Sequence, residues 1–320
     1  MKKILVTGAL GQIGSELIFA LKKKYGNENV IASDVRCDAP ENIKNSGPYE
    51  ILDVLNKESI EALVKKYEID TIFHLAAILS AVGEKRPQLC WDINMTGTLN
   101  ILEIGVQYKL EKIIIPSSIA VWGEGVPKEN VPQESVLRPA SMYGVTKVCG
   151  ERLCDYYVQK FGLDVRGLRY PGIISSETLP GGGTTDYAVE IYYEAVKNKK
   201  YNCFLAEGTR LPMMFMPDCI KATIDLAEAD FSKLKHHSDF NVAAFSFAPE
   251  DIVDSIKKYI PDFTITYNPD FRQAIADSWP GSIDDSCARE EWNWKPDFDL
   301  DTMTKAMLDN LSEKHSKGLI

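Results

Sequence analysis

Tyr143 and Lys147 stand four residues apart in the pattern Tyr143-x-x-x-Lys147. On a helix that spacing puts phenol and ammonium on one face. A phenol titrates near ~10, so alone it is a poor base at neutral pH. A fixed positive charge a few ångströms away favours the phenolate. Lowering its pKa to about 7 takes roughly 4 kcal/mol of differential stabilisation. One lysine and one further cation in a partly desolvated pocket could supply that. Such a pair would move a proton on and off a hydroxyl. The spacing also arises by chance on solvated helix faces, so the surrounding elements must decide.

The first of these opens the chain. An apolar run over 2–7 reads as a strand, followed by Gly8-x-x-Gly11-x-x-Gly14 and a helical period over 15–25. Gly8 makes the tight turn, Gly11 lets the backbone approach a pyrophosphate, and Gly14 lets helix pack on strand. The helix amino terminus offers free N–H groups and a positive dipole end to the phosphates. In this context the glycine pattern marks a dinucleotide site. A second strand, 29–33, leads into Asp34, 20 residues past Gly14. A carboxylate there accepts from the adenosine ribose hydroxyls and repels a 2′-phosphate, which favours NAD over NADP. Arg36 works against that choice. The nicotinamide cation would be the second charge beside Tyr143.

Further strands are expected at 49–54, 70–77, 111–116 and 163–169, with helices at 56–67, 88–108 and 141–161. Residues 37–49 read as a loop. Alternation of this kind predicts a doubly wound parallel sheet, with ligands at the carboxyl ends of its strands. Gly8, Asp34, Ser80, Ser118 and Pro171 fall at such ends. Asp53 could accept from the adenine amino group, with Val54 against the ring, or it could cap the following helix. Ala76 and Ala77 are small enough for a cofactor to lie on their backbone, and His74 reads as core or wall. Past residue 172, short strands (212–216, 240–244, 263–267) mix with helices (187–197, 217–229, 249–260, 301–315). The expected fold is α/β. A Rossmann domain covers 1–172 with returning elements about 213–245, and a smaller α/β substrate domain over 173–320 is interleaved with it.

Gly181, Gly182 and Gly183 precede Thr184, Thr185 and Asp186. Consecutive glycines can aim N–H groups at a carboxylate. Asp186, when ionised, could hold an ammonium. The two together suit a small zwitterion. A flexible surface loop with Asp186 capping the next helix explains the same residues. A sugar nucleotide would need cations for its diphosphate. Over 171–215 only Lys197, Lys199, Lys200 and Arg210 are available.

The formal net charge of −10 over 320 residues disfavours nucleic acid and anionic membranes as partners. Seven cysteines without a Cys-x-x-Cys pair and four scattered histidines show no zinc-type spacing, so free thiols and no metal are expected. No apolar run is long enough to cross a bilayer. No signal segment precedes the first strand, so a cytoplasmic protein is expected.

Taken together the motifs resemble the extended short-chain dehydrogenase/reductase family. They are the glycine pattern, Asp34, the 74–77 run, Asn94-x-x-Gly97, Ser118 with Gly123, Tyr143-x-x-x-Lys147, Arg169-Tyr170-Pro171 and Trp294-Lys295-Pro296. Trp122 stands where that family usually has tyrosine. The resemblance implies catalysis by Ser118, Tyr143 and Lys147. It implies a cofactor site of Gly8, Gly11, Gln12, Ile13, Gly14, Asp34, Asp53, Val54, Leu75, Ala76, Ala77, Asn94, Tyr143, Lys147, Tyr170 and Pro171. Segments 179–190, 211–219 and 278–286 are similar to those of short-chain-type L-threonine 3-dehydrogenases. That likeness implies substrate contacts from Ser80, Thr184 and Asp186, more loosely from Thr185 and Trp279, and again from Ser118 and Tyr143. It implies NAD-dependent oxidation of L-threonine to 2-amino-3-ketobutyrate without a metal. A ligase would take that ketone, or it would decarboxylate to aminoacetone. A homodimer through helices 88–108 and 142–161 is also implied. A nucleotide-sugar epimerase or dehydratase, or a regulatory NAD-binding protein, are the alternatives.

Overall fold

The strands β1 (Ile4–Thr7), β2 (Val30–Asp34), β3 (Tyr49–Ile51) and β4 (Thr71–His74) set the frame. Every residue of β1, β2 and β4 is buried. Strands that are apolar on both faces need helices on both sides, which is the signature of a parallel sheet. With β5 (Lys112–Ile114), β6 (Ser117–Ser118) and β7 (Val165–Arg166), the six-stranded sheet runs β3-β2-β1-β4-β5-β7. All its pairings are parallel. The computed structural model describes residues 1–179 and 181–320. Pro180, within the glycine-rich segment singled out above, lies outside them.

Alternation along each strand sorts the core into two layers. Leu5, Ile31, Ile72 and Ile113 face α3 (Lys57–Tyr67) and the later helices carrying Ile101, Leu102 and Tyr157. Ile4, Val6, Val30, Ala32 and Phe73 face Leu17, Ile18 and Leu21, which belong to the helix over Gln12–Tyr25, here α1. Between these lies a short helix, α2 (Glu41–Lys44), where a loop was expected. The helix expected over 88–108 is broken in register. After α4 (Ser80–Lys85), it comprises α5 (Pro87–Trp91), a π turn over Asp92–Thr96, then α6 (Gly97–Tyr108). Asn94 sits in the π turn, a feature that often marks function. α7 (Met142–Phe161) follows, capped by Ser141 Oγ accepting from Gly144 N.

The strand expected over 163–169 is two strands. β7 joins β5, whereas β8 (Leu168–Tyr170) pairs with β6 and β12 (Phe240–Asn241). Gly167 separates them. A Cβ there would lie 2.4 Å from Ser238 O and 2.5 Å from Ile115 O, so the bend admits only glycine. The returning elements likewise stay out of the large sheet. β9 (Gly172–Ile174), β11 (Leu211–Phe215) and β13 (Phe245–Phe247) form a three-stranded sheet. β10 (Lys200–Cys203) pairs with β14 (Thr264–Tyr267). The alternating exposed and buried residues of β10 lack the apolar run that would have revealed it in sequence.

The remaining helices are α8 (Tyr187–Asn198), α9 (Met216–Glu228), α10 (Pro249–Lys257), α11 (Arg272–Ser278), α12 (Ser286–Trp292) and α13 (Leu300–Ser316). The end of α9 is fastened by cations. Arg166 donates to Leu226 O and Ala229 O, and Lys112 Nζ donates to Ala227 O at 2.6 Å. Positive charge at a helix carboxyl end satisfies its last carbonyls and its dipole. Among the described residues no helix is long and apolar enough to cross a membrane.

One buried network joins α7 to the β6–β8 pair. Arg169 Nε and Nη2 donate to both oxygens of Glu151 at 2.9 and 2.8 Å. Ser117 Oγ donates to Glu151 Oε1 at 2.6 Å. Arg169 Nη1 reaches Gln133 O and Asn241 Oδ1. Removing one partner of such a pair leaves a buried charge uncompensated, at about 3–5 kcal/mol. Glu151→Ala is therefore expected to destabilise the fold by that order and to lower the thermal midpoint clearly. An unchanged midpoint would show that the pair carries no such role.

Candidate active site

The sheet order places β1 beside β4, where the direction of strand addition reverses, and ligands of such sheets bind outside that point. Thr7 pairs with both Ser33 and His74, so three strand ends meet there. Gly8 follows at φ +68°, and a Cβ on it would lie 2.7 Å from Ala76 N. A Cβ on Gly14 would lie 2.2 Å from Gly8 O. Gly11 begins α1, and no side chain caps that end. The bare helix terminus opens into a cleft lined by Gly8, Gly11, Gln12, Ile13 and Gly14. This cradle, which any side chain would fill, fits a dinucleotide pyrophosphate. Asp34 ends β2 beside it and accepts from Leu10 N at 3.0 Å. Arg36 Nε donates to Asp34 at 3.1 Å.

The residues expected to transfer the proton line the same cleft. Ser118 ends β6, and its Oγ accepts from Ala120 N at 3.2 Å. Its hydroxyl acts on the Tyr143 phenol in the direction that lowers the phenol's pKa. Tyr143 and Lys147 share one face of α7, with Lys147 Nζ 5.5 Å from the phenol ring centre. Nζ donates to Pro116 O at 2.7 Å. The expectation from sequence is that Lys147 and a further cation depress the phenol together. In the protein itself, removal from water pushes Tyr143 up to about 12, only partly offset by Ser118. It pulls Lys147 down to about 8. Desolvation thus outweighs the charge pair, so activating the phenol needs further positive charge in the cleft. His74, as expected, is wall. Thr7 Oγ1 lies 2.8 Å from its Nδ1, and burial pulls its pKa down to about 3, leaving the imidazole neutral.

Ser80, Thr184, Thr185, Asp186 and Trp279 also border this cleft. Ser80 opens α4 instead of lying on a loop. The glycine segment departs from both readings offered by sequence. Gly182 N and Gly183 N donate to Asp186 Oδ2 at 2.8 and 2.5 Å. The anion nest is therefore filled by the chain's own carboxylate. That side chain turns back toward the glycines and does not cap α8. Burial pushes Asp186 up to about 6, against the lowering effect of the two glycine N–H groups.

Other expected residues sit differently. Leu75, Ala77, Tyr170 and Pro171 border the cleft, but the Tyr170 hydroxyl is taken by Thr223 in the core. Asp53 Oδ1 accepts from Leu55 N at 3.0 Å, and Asn56, not Asp53, caps α3. Val54 packs on Gly97, where a Cβ would meet its Cγ2 at 2.8 Å. The Asn94 amide is engaged within the chain. Its Oδ1 accepts from Ile78 N, and its Nδ2 donates to Ile78 O and Thr146 Oγ1. It fixes the wall after β4 and offers no free donor. Ala76 and Asn94 border a narrow cleft behind Lys147. Sequence reasoning passed over Leu79, Ile119 and Ile173, which give the main cleft its apolar lining. Their only signal was adjacency to motif residues.

A model of the NAD dependent epimerase/dehydratase family matches residues 4–243. An uncharacterized epimerase/dehydratase of Staphylococcus saprophyticus is 51% identical, over 98% of this chain and 98% of its own. The L-threonine dehydrogenase of Clostridium difficile is 57% identical with a TM-score of 0.96, covering 98% of each chain. A monomeric L-threonine 3-dehydrogenase from a metagenome is 50% identical with a TM-score of 0.93, covering 97% of this chain and 99% of its own.

The glycine cradle yields a direct test. In Gly14→Ala the new methyl must displace the Gly8 carbonyl, an overpacking of about 1–3 kcal/mol. Carried by the bound form, that weakens NAD(H) binding roughly tenfold to a hundredfold. Calorimetric titration measures it, and wild-type affinity would remove the glycine cradle from the binding site.

Proposed function

Because the chain belongs to the NAD dependent epimerase/dehydratase family and its structure resembles L-threonine dehydrogenases, we propose that it is an NAD-dependent oxidoreductase that oxidises L-threonine at C3 to 2-amino-3-ketobutyrate. The observation that carries this reading is one shared wall. Buried Thr184 and Asp186 border the same cleft as Ser118 and Tyr143. An amino acid with a β-hydroxyl matches that arrangement. Its ammonium meets Asp186, its carboxylate takes the hydroxyls of Thr184 and Ser80, and its alcohol reaches Ser118 and Tyr143. The likeness to L-threonine dehydrogenases supports the same substrate.

NAD, held on the glycine cradle with its ribose at Asp34, would accept the hydride and add the positive charge the phenol needs. Tyr143 as phenolate takes the hydroxyl proton. Ser118 hydrogen-bonds the reacting oxygen and fixes its position. Lys147, steadied by Pro116 O, keeps its ammonium beside the phenolate. A nucleotide-sugar substrate fits less well. Lys199 pairs with Asp262 and Arg210 with Asp251, which leaves Lys147 as the cation among the described cleft residues. Self-association through α5 to α7 belongs to the proposal too, since Trp91, Leu99, Val145 and Tyr156 are exposed there.

Incubation with L-threonine and NAD should raise the absorbance of NADH. Tyr143→Phe should keep NAD affinity and lose about 10²–10⁴ in kcat. No NADH from threonine, together with turnover of a nucleotide sugar, would replace this reading with epimerisation. The pH profile offers a second test. kcat/KM reports the free enzyme, and Asp186 there titrates at about 6. Below that value the carboxyl is neutral and the ammonium contact is lost, so kcat/KM declines as pH falls through about 6. Asp186→Asn should raise KM and abolish that limb. An unchanged profile in the variant would separate Asp186 from the substrate.

A further inference from the structure

Away from the cleft, His236, Cys287 and Glu291 place their donor atoms within 4.8 Å of one another. Cys287 and Glu291 are four residues apart on α12, so thiol and carboxylate share a face. His236 comes from the segment leading into β12, and its ring meets Phe240 edge-on at 5.8 Å. Its Nδ1 lies 2.5 Å from Glu291 Oε1. Its Nε2 lies 3.4 Å from Glu134 Oε1. The other Glu291 oxygen is held by Lys235 N at 2.5 Å and His236 N at 3.1 Å.

We propose that these residues form a site for a borderline divalent transition-metal cation such as Zn²⁺, bound by His236 Nδ1, Cys287 Sγ and Glu291 Oε1. Thiolate and imidazole select such ions over Mg²⁺ and Ca²⁺, which prefer oxygen alone. The outer contacts are those a metal site needs. A metal-bound imidazole donates its other N–H to a carboxylate, which Glu134 supplies. Two backbone N–H groups fix the ligating carboxylate of Glu291. On binding, the thiol proton leaves to solvent and the imidazole keeps its proton on Nε2, facing Glu134. The close contact between Nδ1 and Oε1 opens to roughly 3.3 Å, the edge of a tetrahedron with ~2.0 Å bonds. Water takes the fourth position. The cation would clamp α12 to the chain entering β12, where Trp292 already packs on Phe240 at 5.8 Å. None of these residues borders the catalytic cleft.

The test uses the whole chain, stripped with chelator and titrated with Co²⁺. The expected result is one equivalent bound, with near-ultraviolet thiolate-to-cobalt absorption and a rise in thermal midpoint that EDTA reverses. Cys287→Ser should lose the absorption, whereas Cys37→Ser, removing an exposed thiol, should keep it. Glu134→Gln should weaken binding roughly tenfold. Zn²⁺ should also shield Cys287, but not Cys37, from alkylation as mapped by mass spectrometry, which serves even where the serine variant folds poorly. No absorption, absorption that survives in Cys287→Ser, or equal alkylation with and without Zn²⁺ would overturn the proposal.

Discussion

The Arg169–Glu151 pair fastens the helix that carries the candidate proton-transfer residues. Tyr143, Lys147 and Glu151 recur every four residues along α7, so they form one stripe. At the deep end Glu151 is gripped by Arg169 from β8 and by Ser117 from β6. Ser118, the neighbour of Ser117, thereby keeps its distance from Tyr143 two turns up the helix. Trp122 adds a face to the same anchor, with the Arg169 guanidinium 5.5 Å from its ring centre. This gives the tryptophan at 122 a packing role, consistent with its distance from the chemistry.

The cost of that anchoring is visible in the groups it buries. Phenol and ammonium both resist their charged forms, one pushed up to about 12 and the other pulled down to about 8. Burial thus favours the neutral form of both groups, and a cation in the cleft would oppose that. The glycine cradle is where such charge would enter. It depends on the same kind of constraint, namely backbone packed too close for any Cβ at Gly8 and Gly14.

Much of this was legible because the signals were local. Strand, glycine turn and helix follow within 25 residues, and the Tyr143–Lys147 spacing lies within one helix. Strand ends could be placed together from topology alone. What was hidden depended on distant contacts. Gly167 looked like one residue of a strand, and only the carbonyls of Ser238 and Ile115 explain why the chain divides there. The resemblance implied a cofactor contact from Asn94, whose amide is engaged by Ile78 and Thr146. Asp53 resembled a cap, but Asn56 holds that place. His236 and Cys287 show no motif spacing, since α12 and the β12 approach meet only in three dimensions.

The contact between Asp186 and Gly182–Gly183 has one more consequence. One carboxylate oxygen is already fixed by two backbone donors, so the group is held in one orientation at the cleft wall. On the proposed reading, a hydroxy acid without an amino group would seal that carboxylate in without a counter-charge. Discrimination would then come from what the wrong ligand leaves unsatisfied, which rejects an analogue more strongly than a missing methyl in an apolar pocket can. The glycine segment would act less as a grip on the right molecule than as a penalty on its deaminated analogues.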